Sequence, residues 1–354
     1  LGGARAMSDN FELVRSPRLS IVIPTPGDTA AMEETLVSVL ENRPDDCEIV
    51  VALACDYADP WNIREEVRFV QAPAGSGLVS CINLGVAASE GEIVHVLAAG
   101  WRATEGWSDA PLARFDDQAV AAVVPVGVAA DDRDRVVSAG VRTTAGGRRI
   151  DVAADARWRQ ARASAGLPAG APSPMGPVLE AGFWRADVFE MSGPGFSVAC
   201  GETLADADMA ITLARSGRTV EVEPSSVVVA AAKSGRRSRP FAAGLHAERL
   251  FWRSLAGQSV VPAAVCHCYE VVRHAVARAP LGTVPMLVGR LVAMLQFGSY
   301  LSRYMQLRRL ITSTAERRRG DEHGAGERTI RIDAPHAAAG RPKRRATPPL
   351  RKSA

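Results

Sequence analysis

The chain has 354 residues, 47% hydrophobic and 23% charged, an ordinary globular composition with length for one large domain plus an appendage, or for two domains. The net charge of +3 is unevenly spread: residues 311–354 carry eleven Lys/Arg and five Asp/Glu, so the tail is basic and the body mildly acidic. The six cysteines lack the spacing of a disulfide framework or of paired CxxC knuckles, and no charged flank with an apolar stretch marks a secretory signal, which together predict a reducing, cytoplasmic setting.

In chain order, residues 19–24 form a β-branched apolar run ended by Pro24-Thr25-Pro26-Gly27, the pattern of a buried strand entering a loop. Met32, Leu36, Val39 and Leu40 fall at helical spacing over 29–42, and Arg43-Pro44 stops that helix. Strands are predicted at 47–54 and 67–71, a helix at 77–89 with Leu78, Cys81, Ile82 and Val86 on one face, and a strand at 92–98. This alternation predicts a doubly wound, largely parallel α/β sheet.

A further strand is expected at 119–126, followed by loops over 129–174, where periodicity is weak. Order returns at 177–184, with helices at 186–191 and 205–216, a strand at 219–222 and its extension at 227–231. Beyond Lys233 three amphipathic helices are predicted at 241–255, 260–277 and 284–310, then a disordered basic tail containing Arg317 to Arg319 and Arg341-Pro342-Lys343-Arg344-Arg345. The uncharged run between Arg290 and Arg303 is 12 residues. A bilayer crossing needs roughly 18 to 20, so the run fits either a cap packed on the core or a helix lying on a membrane surface. The tail itself suits anionic lipid or nucleic acid, the latter weakened by the lack of stacking aromatics. The division expected is 1–16 as an N-terminal extension, 17–232 as the main domain, 233–310 as a helical extension and 311–354 as the tail.

Several strings together resemble the family 2 glycosyltransferases of the GT-A fold. They are Ser20-Ile21-Val22-Ile23-Pro24-Thr25 and Glu34-Thr35-Leu36; Glu48-Ile49-Val50-Val51; Asn83-Leu84-Gly85 closing on Gly91-Glu92; Gly182-Phe183-Trp184-Arg185; Gly193-Pro194-Gly195-Phe196; and Asp206-Ala207-Asp208-Met209 with Val220-Glu221-Val222. The likeness covers about 19–229. It implies a GT-A, Rossmann-like mixed sheet flanked by helices with a C-terminal helical extension, and transfer from a UDP- or GDP-sugar to a glycan, lipid or small acceptor at the cytoplasmic face of a membrane. The Gln-x-x-Arg-Trp element of processive synthases does not follow Asp208, which argues against a polymerising enzyme.

In that family an aspartate after the second strand holds the nucleobase, and an Asp-x-Asp string holds a divalent cation on the donor diphosphate, since hard cations take oxygen ligands. Here the corresponding positions are Ala52-Leu53-Ala54-Cys55 and Ala98-Ala99-Gly100-Trp101, and Ile82 replaces an arginine before Asn83. The resemblance leaves Pro24, Thr25, Ala98 and Gly100 around the donor. Asp56 or Asp59 is a substitute for the base contact, Arg102 for the metal's charge, and Trp101 a stacking ring. Asp206 takes the family's place of general base, with a helix cap as its bland alternative.

Cys266, His267, Cys268 and His274 do not converge on one side of a helix, His95 reads as a core residue, and Asp131 to Asp134 as a solvated turn. Two functions therefore stand: a divergent, metal-independent transferase with Asp206 as base, or a fold that has lost catalysis and serves as a binding or scaffold protein.

Overall fold

The computed structural model describes residues 17–330 except 160–166, 169, 192, 194 and 231–237, with side chains to Glu316. Its contacts divide the chain after Thr314, and the structure below is that of the first unit. The expected N-terminal extension, Lys233, Pro194 and the tail beyond Ile330 lie outside the described residues.

The first half is built from β1 (Leu19–Thr25), α1 (Thr29–Asn42), β2 (Cys47–Leu53), β3 (Arg68–Gln71), α2 (Leu78–Ala88) and β4 (Ile93–Leu97). All seven residues of β1 are buried, as a continuous apolar run in a strand covered on both faces requires. Asp28 caps α1 by accepting from the Ala31 N–H at 3.0 Å. A Cβ added at Gly85 of α2 would collide with Val22 of β1, so this glycine sets how closely helix and strand approach.

β5 (Trp101–Ala103), α3 (Asp109–Arg114), β6 (Val120–Ala129), β7 (Val136–Ser138), β8 (Val141–Thr143) and β9 (Arg149–Asp151) follow. Then come β10 (Ala181–Arg185), α4 (Asp187–Met191), a 3-10 turn (Val198–Cys200), α5 (Gly201–Ser216) and β11 (Thr219–Ala230). The main sheet runs β3-β2-β1-β4-β10-β6-β11-β5, with β7 on β6 and β8-β9 as a separate hairpin. β1 to β4 pair in parallel, β10 lies antiparallel between β4 and β6, β11 is parallel to β6, and β5 is antiparallel to β11. The sheet is thus mixed, with β10 interrupting the parallel set.

Four helices close the fold: α6 (Pro240–Ser254), α7 (Val260–Ala277), α8 (Thr283–Leu295) and α9 (Gly298–Ile330). α5 is buried on two sides. Ala205, Met209 and Leu213 join the sheet core, while Ala207 and Ile211 pack with Leu250 of α6 and Leu307 of α9.

Several expectations are corrected. The region 129–174 holds three three-residue strands, too short for a periodic pattern, and β5 and α3 carry no distinct signal either. The helix expected at 284–310 is two helices, bent by 70° at the break before Gly298. α9 continues to Ile330, past the start of the expected tail. α5 begins at Gly201, so Asp206 sits in its second turn, away from the free N–H groups of the helix end, and the capping alternative is removed.

Candidate functional site: the carboxyl edge of the sheet

The C-terminal ends of β1, β2 and β4 meet at one edge, the position at which open α/β sheets bind ligands. Ala54 N–H donates to Thr25 O at 3.0 Å, and Ala99 N–H to Pro24 O at 3.5 Å. Beyond β4 the chain makes a tight turn in which Trp101 N–H reaches Ala98 O at 2.9 Å, with Gly100 at φ +88°, a conformation that favours glycine. The Gly100 N–H donates to Ala31 O at 3.1 Å and Thr35 Oγ1 at 2.9 Å, fastening the turn to α1.

The turn presents two methyl groups and a glycine where a divalent cation would need oxygens. Among the described residues no three His, Cys, Asp or Glu side chains are grouped to hold a metal ion. These residues do not fit the metal that the resemblance implies.

The expected site residues separate. Thr25 is fully buried and its Oγ1 has no hydrogen-bond partner, while Asp56 is exposed on the loop after β2. Arg102 is half-buried on β5, its Nε without a partner. Trp101 is not a free stacking ring: it is 4% exposed, in the core, and a Cβ at Gly127 would meet its indole at 2.8 Å.

Asp206 is 0% exposed. Arg149 of β9 clamps its carboxylate, Nε donating at 2.9 and 3.1 Å to the two oxygens and Nη2 at 2.8 Å, and the Leu179 N–H adds a contact at 3.3 Å. Burial opposes the Arg149 charge, but Asp206 outweighs it and raises the guanidinium's pKa above the ordinary arginine value. Asp208 is a second hub. It accepts from Arg253 Nε of α6 at 3.0 Å and from Arg303 Nη2 of α9 at 3.1 Å, tying α5 to two other helices. Burial works to raise its pKa, yet Arg303 and then Arg253 hold it below the usual carboxylate range.

A further acid escaped the sequence reading. Glu202, in the first turn of α5, accepts from the Leu78 N–H at 2.7 Å, so a carboxylate of the chain itself sits at the N-terminus of α2, where an anionic ligand would otherwise be favoured. Only the long-range pairing of α5 with α2 reveals it.

The Asn83-Leu84-Gly85 and Gly195-Phe196 strings meet each other. Asn83 Nδ2 donates to Phe196 O at 2.8 Å, and Phe196 N–H donates to Asn83 Oδ1 at 2.7 Å. Gly195 at φ +106° permits that approach. These signals lock loop to helix.

His95 is fully buried and stacked on Phe183 at 3.8 Å between centroids, with Nδ1 3.1 Å from Gly182 O and Nε2 without a partner. Burial, only partly offset by the Gly182 carbonyl, pushes its pKa down to about 3. The unfolded chain then binds more protons than the native one below pH 6.5, so stability present above 6.5 falls with decreasing pH, by about 1.4 kcal/mol per pH unit, until the folded value is reached. Urea unfolding of His95→Phe between about pH 6 and pH 4 is expected to show a flatter acid limb than the parent; an unchanged slope contradicts this assignment.

Away from the edge, His267 is buried against Glu248 and Phe251 while Cys266 and Cys268 are exposed, so the three face different sides.

No protein-family model matches the chain, and no curated protein does. Among solved structures, residues 1–349 of S. aureus TarS in complex with UDP-GlcNAc align with a TM-score of 0.52 at 14% identity, covering 84% of this chain and 92% of that one. The UDP complex of the same protein gives 0.51 at 14% identity, covering 84% and 91%. The mannosyltransferase PcManGT from Pyrobaculum calidifontis, in complex with GDP-Man and Mn2+, gives 0.49 at 18% identity over 85% of each chain. The mixed α/β sheet flanked by helices is that of the GT-A glycosyltransferases.

Proposed function

We propose that this protein is a non-catalytic GT-A-fold binding protein working at a membrane surface, a sugar-transferase scaffold whose acidic centres have become structural ion pairs. The carrying observation is the enclosure of Asp206, at 0% exposure, by Arg149. A general base must reach the proton it removes, and this carboxylate spends its oxygens on a guanidinium and backbone N–H groups. The apolar turn at Ala98 to Gly100 and the Glu202 carboxylate at α2 support the same reading.

Of the residues expected around the donor, Pro24 and Thr25 are buried, so the exposed Asp56 and the half-buried Arg102 guanidinium are the groups left to hold a nucleotide-sugar without a metal. TarS was solved with UDP-GlcNAc, which makes a UDP-sugar the first ligand to try.

The membrane half of the proposal rests on α7 to α9. Val261, Val265, Tyr269, Val272 and Val276 recur at helical spacing along α7 and are 62–74% exposed, and Val284, Leu291, Leu295, Phe297 and Leu301 continue the apolar surface on α8 and α9. Of the six arginines in residues 255–314, Arg290 and Arg303 are buried in ion pairs, Arg273 and Arg278 are half-buried and Arg308 and Arg309 exposed, against one acid, Glu270, a balance that suits an anionic lipid surface. No single described helix is long and apolar enough to cross a membrane.

Calorimetric titration with UDP- and GDP-sugars should give the same affinity with and without Mn2+, and the protein should sediment with anionic vesicles unless Val265 and Val272 are both changed to Asp. Manganese-dependent donor binding, or vesicle binding untouched by the double change, contradicts the proposal.

A further inference from the structure

A cavity of about 290 Å³ opens between the β8-β9 hairpin, the start of α5 and helices α6 to α8. That is near the lower limit of small-molecule sites, roughly 300 Å³. Five guanidiniums line it: Arg148 and Arg149 from the hairpin, Arg273 from α7 and Arg278 at the C-cap of that helix, and Arg290 from α8. Sequence spacing shows only the pair of Arg273 and Arg278, because the other three arrive from elements far apart in the chain.

The acids within reach are unevenly shared, with Asp206, Asp151 and Glu180 all acting on Arg149. Glu270 is shared between Arg148 at 3.1 Å and Arg273 at 2.6 Å, Arg149 is taken by Asp206 with Asp151 at 2.8 Å, and Arg290 by Glu248 at 2.7 Å. Among the described residues, Arg278 meets the Ser238 carbonyl alone, at 3.4 Å. Arg290, 6% exposed, keeps a buried Nε with no partner. The electropositive field registers on His274, which also lines the cavity: burial first, then Arg290, Arg278 and Arg273, push its pKa down to about 4. It is neutral at physiological pH, and its Nδ1 lies 3.2 Å from Arg290 Nη2, as an acceptor.

We infer that this cavity binds a phosphate-bearing ligand, a phosphomonoester or diphosphate group held by Arg278, Arg273 and Arg290. Guanidinium forks match phosphate oxygens bidentately, and a dianion supplies the charge that Glu270 alone does not. Arg273 lies on α7 and Arg278 caps its end, and this helix carries the exposed apolar stripe, so both a soluble phosphate and a lipid headgroup are sources of this chemistry. The inference is independent of whether Asp206 acts as a base.

The test uses the full chain and isothermal calorimetry with inorganic pyrophosphate, a water-soluble short-chain phosphatidic acid and the matching phosphatidylcholine. Binding of pyrophosphate or phosphatidic acid, with phosphatidylcholine inert, is expected; the stronger of the two identifies the source. Arg278→Ala, whose side chain makes no described ion pair, should weaken binding roughly tenfold or more, with Arg278→Lys recovering part of it. Arg308→Ala, on the exposed surface of α9, should bind as the parent does. Melting curves establish that each variant is folded. Absence of pyrophosphate and phosphatidic acid binding, or affinities unchanged in both Arg278→Ala and Arg273→Ala, overturns the inference. Failure of the nucleotide-sugar titration leaves this result standing, so the two proposals fail separately.

Discussion

Asp208→Asn is expected to cost about 3–5 kcal/mol of unfolding free energy, the range for removing one partner of a buried ion pair. The carboxylate lies at the meeting of α5, α6 and α9, and its loss takes the opposite charge from Arg253 and from Arg303, which is 4% exposed and keeps its bonds to Thr212 and Gln306. An amide offers one oxygen to two guanidiniums and places an N–H against them. Because the native pKa of Asp208 is lowered, its contribution is fully present above the unfolded carboxylate value near 3.9 and is lost as pH falls through the native value. Chemical denaturation at neutral pH with an unchanged m-value is the check. A change within about 0.5 kcal/mol shows that the hub carries no such load.

Asp206→Asn should lower stability by about 2–4 kcal/mol, somewhat less, because Arg149 is 16% exposed and can regain water. The structural assignment makes a second, sharper demand. Replacing both partners, Asp206→Leu with Arg149→Met, should recover most of the loss, since two apolar side chains leave no buried charge unpaired. A double variant as unstable as the sum of its parts contradicts a simple pair. Asp206→Asn with full stability points to a carboxylate kept for chemistry instead.

The fold was legible where local pattern and tertiary demand agree. The buried run of β1, the face of α1 through Met32, Leu36 and Val39, and the helix of Leu78, Cys81 and Ile82 all read correctly because one side of each element meets the core. β5, β7, β8 and β9 were illegible, since three residues cannot show a period. The absence of acids from Ala98 to Gly100 was visible in the string itself. The fate of Asp206 was not, because Arg149 stands 57 residues away and reaches it only after β9 has folded over α5. Glu202 is hidden in the same way, 124 residues from the Leu78 N–H it accepts. The arginine cavity likewise exists only once the hairpin and α6 to α8 are assembled.

Two of the strings singled out in the sequence have a packing role. Gly85 against Val22, and Asn83 with Gly195-Phe196, make close contacts on which the fold depends. They specify the scaffold, and carry no chemistry by themselves. The likeness to TarS, at 14% identity, is of the same kind.

The most direct measurement is nucleotide release from UDP- and GDP-sugars, with and without Mn2+, by the parent protein and by Arg149→Met and Asp206→Asn, in the presence of anionic vesicles. Release at the protein-free rate is expected in every case, the variants differing in melting temperature alone. Release above that rate by the parent, abolished in folded Asp206→Asn, would show Asp206 working as a base and contradict this expectation.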